Sequence, residues 1–267
     1  MDRYDIFIQA GQSNAEGTGY GPVTQEYIPD ERILYLNAVK TVSEKNERIH
    51  VEYADALFVL ATADERDVVI NDVDRRVGDF SLTFAKAYID AGLLQEGRKL
   101  LIIRAAVGGT GFQRKHWGVE DELYLKMLEM TDHALSLNPE NKLMGLLWHQ
   151  GEHDAFEGNT PENYRNQLTA LIKNVKERYN SPKLPFICGD FAREWKAENI
   201  EICEPILQVI REVVQEHGGR FVETGDLATN NDVTGSGDNI HFCRESLHVL
   251  GERYFKAYTD ICMRTDA

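Results

Sequence analysis

The stretch from Lys99 to Val107 limits the fold of this chain more than any other feature. Its sequence, Lys-Leu-Leu-Ile-Ile-Arg-Ala-Ala-Val, is almost continuously apolar and does not alternate with polar residues. A strand of this composition is covered by helices on both faces, as in the parallel sheets of α/β proteins. The stretch from Lys142 to Trp148 has the same character. Both stretches predict an α/β fold in which a sheet lies between two layers of helices.

Predicted strands and helices alternate along the rest of the chain, which is typical of right-handed β-α-β crossovers. With 267 residues, 42% of them hydrophobic, the chain is long enough to bury one sizeable core. We therefore predict one domain over residues 1–267, with three α/β/α layers and a parallel sheet of about five strands. The other predicted strands are Tyr4–Ala10, Arg32–Asn37, Leu184–Cys188 and a short last strand, Arg220–Glu223. Predicted helices cover the stretch after Gly78, Asp121–Leu137, the stretch from Thr160, Pro205–Gln215 and Arg244–Ile261.

The segment from residue 38 to 77 differs from the rest of the chain. It is polar, lacks a regular hydrophobic period and is long for a connection. Loops of this length in compact domains are usually lids or binding loops. We therefore expect a long loop excursion at one end of the sheet.

The charge of the chain limits its partners. Its 29 basic and 44 acidic residues give a formal net charge of −15. Such a charge disfavours nucleic acid and anionic membrane surfaces as partners. No apolar stretch approaches the length of a membrane span. By elimination we expect a neutral small molecule or a glycan as the substrate, and no feature of the sequence indicates an oligomeric state.

The cysteines and the N-terminus indicate a compartment. The four cysteines, at positions 188, 203, 243 and 262, include no C-x-x-C pair, so we expect isolated thiols in a reducing environment. The first residues lead directly into a predicted strand and lack the basic start, apolar stretch and cleavage site of a secretory signal. We therefore expect a cytoplasmic protein.

Polar residues follow three predicted strands at the point where each strand ends. The first strand leads into Gly11–Gly17 (Gly-Gln-Ser-Asn-Ala-Glu-Gly), which contains Ser13. Two later strands lead into Gly108–Gly109 and into a loop that contains Gln150. A fourth polar segment, Asp238–His241, precedes the last predicted helix. In a doubly wound sheet such segments meet at one edge, where ligands bind.

The side chains at this edge form a complete set for acyl transfer. Ser13 supplies a hydroxyl nucleophile, His241 a base that accepts its proton, and Asp238 a carboxylate that orients the imidazole. Glu152 lies on the same loop as Gln150 and is an alternative or supporting orienting carboxylate.

The tetrahedral intermediate of acyl transfer requires hydrogen-bond donors for its oxyanion. The backbone N–H groups of Ser13 and Gly109 and the side-chain amide of Gln150 are candidates for this oxyanion hole. Aromatic side chains near such a site are common stacking surfaces for sugar rings. The candidate substrate-contacting residues are Gln12, Asn14, Thr110 and Trp117.

Four motifs resemble those of the SGNH/GDSL hydrolase superfamily. They are Gly11–Ala15 (Gly-Gln-Ser-Asn-Ala), Gly108–Thr110 (Gly-Gly-Thr), Trp148–Asp154 (Trp-His-Gln-Gly-Glu-His-Asp) and Asp238–Phe242 (Asp-Asn-Ile-His-Phe). They look most like the sialate O-acetylesterase-like branch, which includes the acetylxylan esterases of carbohydrate esterase family 6. In that branch a Gln-Gly-Glu-x-Asp motif replaces the Asn-bearing block of other SGNH enzymes. The chain has neither Gly-Asp-Ser-Leu nor G-x-S-x-G.

The resemblance implies a flavodoxin-like three-layer fold and hydrolysis of acetyl esters on sugars without a metal or other cofactor. It implies that Ser13 is the nucleophile, His241 the base and Asp238 the orienting acid. It also implies an oxyanion hole formed by Ser13, Gly109 and Gln150. An acetylated carbohydrate, of the xylo-oligosaccharide or sialic acid type, is then the expected substrate.

Two alternative functions stay open. The segment His149–His153 (His-Gln-Gly-Glu-His) matches the H-x-x-E-H pattern of some zinc hydrolases. That chemistry requires both histidines on one face of a continuous helix, whereas Gly151 and a preceding predicted strand interrupt this segment. The second alternative is a catalytically silent glycan-binding module on the same scaffold, because a fold does not determine a function.

Overall fold

A computed structural model describes residues 2–21, 26–45, 48–65 and 78–265 of the chain. The strands are β1 (Arg3–Gly11), β2 (Ile33–Lys45), β3 (Arg48–Thr62), β4 (Arg98–Arg104), β5 (Lys142–His149), β6 (Phe186–Gly189) and β7 (Arg220–Val222). The longer helices are α2 (Phe80–Asp90), α3 (Glu122–Ser136), α5 (Pro161–Arg178), α7 (Ile200–Glu216) and α9 (Arg244–Thr265). The short helices are α1 (Ser13–Glu16), α4 (Glu152–Phe156), α6 (Arg193–Glu198) and α8 (Asn230–Thr234).

The strands of the described residues form one 7-stranded sheet in the order β3-β2-β4-β1-β5-β6-β7. Neighbouring strands are parallel throughout, apart from β2 and β3, which are antiparallel. The sheet is therefore larger than predicted and has one antiparallel edge. Because β1 is the central strand, the segment that follows it lies in the middle of the carboxyl edge.

Alternate side chains of β1 enter two hydrophobic cores on opposite faces of the sheet. Ile6 and Ile8 pack in the core with α3, α5 and α7, whereas Phe7 packs in the core with α2 and α9. All three side chains are fully buried. This alternation follows from the two-residue repeat of a strand, and it produces the three α/β/α layers that the sequence predicts.

Much of the segment predicted as a long loop is a β-hairpin, which corrects that prediction. β2 and β3 pair along their length as far as Lys45 and Arg48. Among the described residues, pairing of β2 with β4 is confined to Ile33–Leu36, so the rest of the hairpin extends beyond the sheet. In β3, Ile49, Val51 and Tyr53 alternate with other residues in the pattern of a strand with one apolar face, and Val51 is buried in the core that includes α3. Residues 46–47 and 66–77 of the predicted loop lie outside the described residues.

Helix α7 begins at Ile200, earlier than the predicted start at Pro205. Proline is common in the first helical turn because it lacks a backbone N–H, which is why the sequence favours that position as a start. Here Pro205 lies inside the helix, where it leaves one backbone hydrogen bond unmade.

Within the described ranges, no helix has the length and apolar character needed to cross a lipid bilayer.

A buried ion cluster joins the end of the hairpin to the start of α9. Glu65 is 2% exposed and accepts hydrogen bonds from Arg244 and His248. Burial raises the pKa of the Glu65 carboxyl, but these two bonds outweigh burial and lower the pKa to about 2. The carboxylate therefore stays ionised at neutral pH and anchors Arg244, which lies close in sequence to His241.

The four cysteines are free thiols, and three of them are buried. Burial raises the pKa of the Cys188 thiol well above its usual value. A buried thiol of this kind is a poor nucleophile and behaves as a small apolar side chain. The isolated thiols that the sequence predicts are therefore packing residues.

Candidate active site

A sharp turn after β1 brings Ser13 to the edge of the sheet. Gly11 has a φ of +129°, and a Cβ on it would lie 2.1 Å from the carbonyl oxygen of His149, so glycine is required there. Gln12 donates its backbone N–H to the same oxygen at 3.0 Å. α1 then begins at Ser13, and the first N–H groups of a helix have no partner within it. The turn therefore places both the hydroxyl and the backbone N–H of Ser13 at the edge of the sheet.

Three side chains form a continuous hydrogen-bond chain at this edge. Ser13 Oγ lies 2.9 Å from Nε2 of His241. Nδ1 of the same imidazole lies 2.9 and 3.0 Å from the two carboxylate oxygens of Asp238. An ionised carboxylate only accepts, so Nδ1 carries the proton of the neutral ring and Nε2 accepts from the serine hydroxyl. This arrangement is the one that general-base activation of a serine requires.

Neighbouring groups keep the Asp238 carboxylate ionised. Burial raises the pKa of Asp238, but hydrogen bonds from His241 and Asn230 outweigh burial and lower it below the usual value. Asn230 Nδ2 donates to Asp238 Oδ2 at 2.8 Å. The negative charge can therefore orient the imidazole and stabilise the imidazolium that forms during catalysis.

Asn14 connects the serine turn to the loop that carries His241. Its Nδ2 donates to the Ile240 carbonyl at 3.0 Å, and its Oδ1 accepts from the Phe242 N–H at 3.1 Å. The residues on both sides of His241 are therefore bonded to the residue that follows Ser13. Because Asn14 is fully buried, we assign it to this bracing role in place of the predicted substrate contact.

Glu152 does not contact the imidazole of His241. Both nitrogens of that ring are already bonded, one to Ser13 and one to Asp238. Glu152 is fully buried, and its Oε1 accepts from Asn14 Nδ2 at 2.9 Å. Burial raises the pKa of the Glu152 carboxyl. Asp238 therefore bonds to the imidazole of His241, whereas Glu152 bonds to Asn14.

The turn after β4 lies beside the serine. A Cβ on Gly108 would lie 3.5 Å from Cβ of Ser13, and Gly109 has a left-handed backbone with a φ of +68°. Both glycines line an open cleft of about 1010 Å³ together with Ser13 and His241. The N–H of Gly108 donates to Glu16 Oε2 at 2.7 Å, whereas that of Gly109 has no partner in the described part of the chain. The Gly109 N–H is thus available to a ligand.

Gln12 lines the cleft and Gln150 does not, although Gln12 is only 2% exposed. Gln150 is 1% exposed, and its Nε2 donates to Asp154 Oδ2 at 2.6 Å and to the Thr110 carbonyl at 3.2 Å. Gln12 Oε1 accepts from the His153 N–H at 3.1 Å and from Gln150 Nε2 at 3.3 Å. These bonds use the Gln12 oxygen and leave its Nε2 without a partner among the described residues. In the free protein the Gln150 Nε2 is therefore bonded to other protein groups, whereas the Gln12 Nε2 is bonded to none that the structure describes.

Thr110 and Trp117 belong to the core and not to the cleft. Both are fully buried. Thr110 Oγ1 donates to the Val107 carbonyl at 2.6 Å and accepts from Trp117 Nε1 at 2.9 Å. The Trp117 ring also packs edge-on against Trp148, with a centroid separation of 5.1 Å. These contacts shape the loop after β4, so we assign neither residue to substrate contact.

The two histidines of the zinc alternative lie on different elements. His149 ends β5, and His153 belongs to α4. Gly151 separates them with a φ of +149°, so no continuous helix carries both. His149 Nδ1 lies 3.0 Å from the Tyr254 hydroxyl, and burial lowers the pKa of His149 to about 3. No cluster of three or more metal-ligating side chains occurs in the part of the chain that the structure describes.

The cleft also has lining residues that the sequence analysis did not identify. Glu16 lies in the segment Gly11–Gly17 that follows the first predicted strand, but its contact with the Gly108 N–H is not visible in the sequence. Lys40 Nζ lies 3.0 Å from Glu16 Oε1 and comes from the unpredicted hairpin. Phe156 and Trp195 also line the cleft. No periodicity or motif marks these last two residues as site residues.

The chain matches one protein family and two curated relatives. The family is described as carbohydrate esterase, sialic acid-specific acetylesterase, and the match covers residues 3–260. A probable carbohydrate esterase of Arabidopsis thaliana is 28% identical over 196 residues, which cover 68% of this chain and 66% of that protein. A probable 9-O-acetyl-N-acetylneuraminic acid deacetylase of Escherichia coli is 30% identical over 95 residues, which cover 33% of this chain and 29% of that protein. The chain thus aligns with less than two thirds of the length of either relative.

Solved structures share the fold. A protein from Arabidopsis thaliana has a TM-score of 0.73 at 22% identity, covering 97% of this chain and 99% of that chain. NanS has a TM-score of 0.74 at 18% identity, covering 98% of both chains. The family match confirms the resemblance inferred from the four motifs. The chain therefore belongs to the family of carbohydrate esterases described as sialic acid-specific acetylesterases, and it shares its three-layer fold with NanS.

Proposed function

We propose that the protein is a serine esterase that hydrolyses O-acetyl esters of carbohydrates through an acyl-enzyme intermediate. The observation that carries this proposal is the unbroken hydrogen-bond chain from Ser13 Oγ through His241 to Asp238 at an open cleft. Membership of a carbohydrate esterase family supports an acetyl ester as the bond that is cleaved. The name of the Escherichia coli relative supports a sugar as the acetyl carrier.

Acyl transfer proceeds in two half-reactions. Ser13 Oγ attacks the acetyl carbonyl carbon while His241 Nε2 accepts the hydroxyl proton. The bond between the carbonyl carbon and the sugar oxygen then breaks, and His241 gives the proton to that oxygen. The sugar leaves with a free hydroxyl, and the acetyl group stays on Ser13. Water, deprotonated by His241, attacks the acetyl-serine, and collapse of this second intermediate returns the proton to Ser13 and releases acetate.

The oxyanion of each intermediate needs donors that are already in place. The backbone N–H groups of Ser13 and Gly109 meet this need because neither is bonded within the described residues. For the third donor we propose the Nε2 of Gln12 in place of Gln150. Gln12 lines the cleft, and its amide is oriented by the bond that His153 N–H makes to its oxygen.

The two glutamines should differ in their effects on catalysis. Gln12→Ala should lower kcat for acetate release about 10²-fold, because it removes a donor that acts on the developing oxyanion. Gln150→Ala should lower kcat less, by under about tenfold, because its amide is bonded to other protein groups and its loss acts indirectly. Steady-state acetate release by both variants measures the difference. A larger kcat loss in Gln150→Ala than in Gln12→Ala would return Gln150 to the oxyanion hole.

Acetate release also separates this function from its two alternatives. We expect the protein to release acetate from an acetylated xylo-oligosaccharide or from 9-O-acetyl-N-acetylneuraminic acid, at the same rate with and without EDTA, because the proposed mechanism uses only protein groups. The ratio of the two rates identifies the preferred sugar. Loss of activity in EDTA would favour a zinc hydrolase that uses His149 and His153. Binding of the glycan without acetate release would favour a binding module.

A further inference from the structure

Two aromatic side chains line the cleft without a role in acyl transfer. Phe156, the last residue of α4, is 70% exposed. Trp195, in α6, is half-buried, and its indole N–H donates to no group in the described part of the chain. Both line the cleft that contains Ser13 and His241. Large exposed aromatic surface costs solvation free energy in a free protein, so its occurrence inside a cleft points to a ligand that covers it.

The topology puts both rings on one side of the serine. α4 follows β5 and α6 follows β6, and both strands lie on the same side of β1 in the sheet. The two helices are also connected by packing. A Cβ on Gly151, at the start of α4, would lie 2.7 Å from the ring of Phe191, and that ring packs edge-on against Trp195 at a centroid separation of 5.8 Å. The position of Trp195 is therefore constrained by the protein.

The opposite side of the cleft carries polar groups together with the apolar side chains of Ala38 and Val42. It is formed by β2, which lies on the other side of β1. Lys40 on this strand pairs with Glu16 at 3.0 Å, and Asn37 lines the cleft next to them. The cleft thus has aromatic side chains on one side of Ser13 and hydrogen-bonding groups, next to two small apolar side chains, on the other. A pyranose ring has a matching division, because its C–H faces are apolar and its rim carries hydroxyl groups.

We infer that Phe156 and Trp195 form a stacking platform for a pyranose ring of the substrate, and that this platform distinguishes acetylated sugars from simple acetyl esters. The inference rests on the proposed function, since it concerns the alcohol part of the ester that Ser13 attacks. The C–H face of the ring lies on the two aromatic side chains, and its hydroxyl rim faces Lys40, Glu16 and Asn37. The platform supplies binding free energy that a small alcohol group cannot use.

The test compares two substrates in each variant. The measured quantity is kcat/KM for an acetylated methyl xylopyranoside divided by kcat/KM for ethyl acetate, whose alcohol part is too small to cover the rings. Phe156→Ala and Trp195→Ala should each lower this ratio about tenfold, as expected for the loss of one buried aromatic contact. The matched control is Leu125→Ala, which removes an apolar side chain that is 50% exposed on α3 and should leave the ratio unchanged.

Tryptophan fluorescence gives a second readout that does not need turnover. The chain has 3 tryptophans, and Trp117 and Trp148 are fully buried. Emission from Trp195 should therefore change when the acetylated xylopyranoside is added to the Ser13→Ala variant. The change should vanish when Trp195→Phe is added to that variant.

The outcomes separate the platform from the esterase function. Unchanged substrate ratios in both aromatic variants, or a ligand-induced emission change that persists in Trp195→Phe, would overturn the platform. A wild-type protein that hydrolyses neither ester would instead contradict the esterase function. In that event the fluorescence titration, carried out on the wild-type protein, still decides whether the platform binds the sugar.

Discussion

Ser13→Ala should lower kcat for acetate release by at least about 10⁴-fold, because the variant has no oxygen to form the acyl-enzyme. The residual rate comes from binding and from oxyanion donors, which the substitution leaves in place. The fold should be retained, because Ser13 Oγ is bonded to His241, and that partly exposed imidazole can bond to water instead. The measurement is steady-state acetate release, with thermal unfolding as the check on the fold.

The matched control for Ser13→Ala is Ser136→Ala. Ser136 is an exposed serine at the end of α3, and its hydroxyl donates to the backbone carbonyl of His133. Its replacement removes the same atom far from the cleft and should leave kcat unchanged. Acetate release by Ser13→Ala within about tenfold of the wild-type rate would mean that another group performs the chemistry.

Asp238→Asn should lower kcat about 10⁴-fold, the loss expected when the orienting carboxylate of a catalytic histidine becomes an amide. Two changes combine in this variant. The amide lacks the charge that stabilises the His241 imidazolium, and an amide N–H directed at Nδ1 favours the ring tautomer with its proton on Nε2. That tautomer cannot accept the proton of Ser13. The expected result is a fall in kcat with little change in KM, measured by acetate release.

Glu152→Gln is the matched control for Asp238→Asn, because it makes the same carboxyl-to-amide change on the competing residue. Glu152 Oε1 accepts from Asn14, and the oxygen of a glutamine amide can accept the same bond. Burial raises the pKa of the Glu152 carboxyl, so a neutral side chain is tolerated there. We expect a kcat loss below about tenfold, the size of an indirect effect. A larger loss in Glu152→Gln than in Asp238→Asn would reverse the assignment of the orienting acid.

The layers of the fold can be predicted from the sequence because their signal is local. A strand covered on both faces, such as Lys99–Val107, must be apolar almost throughout. The hairpin gives a weaker signal, because beyond Leu36 strand β2 does not pair with β4 and several apolar side chains of the hairpin, such as Val42 and Leu57, are exposed. Val42 pairs with Val51 across the hairpin, and this pairing cannot be predicted from the sequence of either strand alone. The size of the sheet therefore follows only from the structure.

The juxtaposition of the candidate catalytic side chains is predictable for a related reason. The carboxyl ends of parallel strands meet at one edge, so Ser13 and Gly109 come together whenever their strands do. Which amide faces the cleft depends on details of the turn. Gln12 and Gln150 both follow strands, but Gln150 bonds to Asp154 and is covered by the loop after β4. No pattern in the sequence distinguishes the two glutamines.

The aromatic residues also show that a sequence pattern does not predict which side chains face the cleft. The sequence predicts Trp117 as the aromatic side chain at the substrate, yet its N–H donates to Thr110 and its ring is fully buried. Phe156 and Trp195, which do line the cleft, lie on short helices that no periodicity marks. Exposure is decided by how those helices pack, which is a property of the folded chain.

We propose that Ser13 carries the acetyl group in the acyl-enzyme, and covalent trapping of this serine is the decisive experiment. The protein is incubated with diethyl p-nitrophenyl phosphate, which phosphorylates activated serine hydroxyls, and the modified peptide is identified by mass spectrometry while residual acetate release is followed. We expect one diethylphosphoryl group per chain, on Ser13, and a loss of activity in proportion to labelling. Asp238→Asn should be labelled much more slowly. Full acetate release from a protein labelled at Ser13, or inactivation with the label on another residue, would show that Ser13 does not carry the acetyl group.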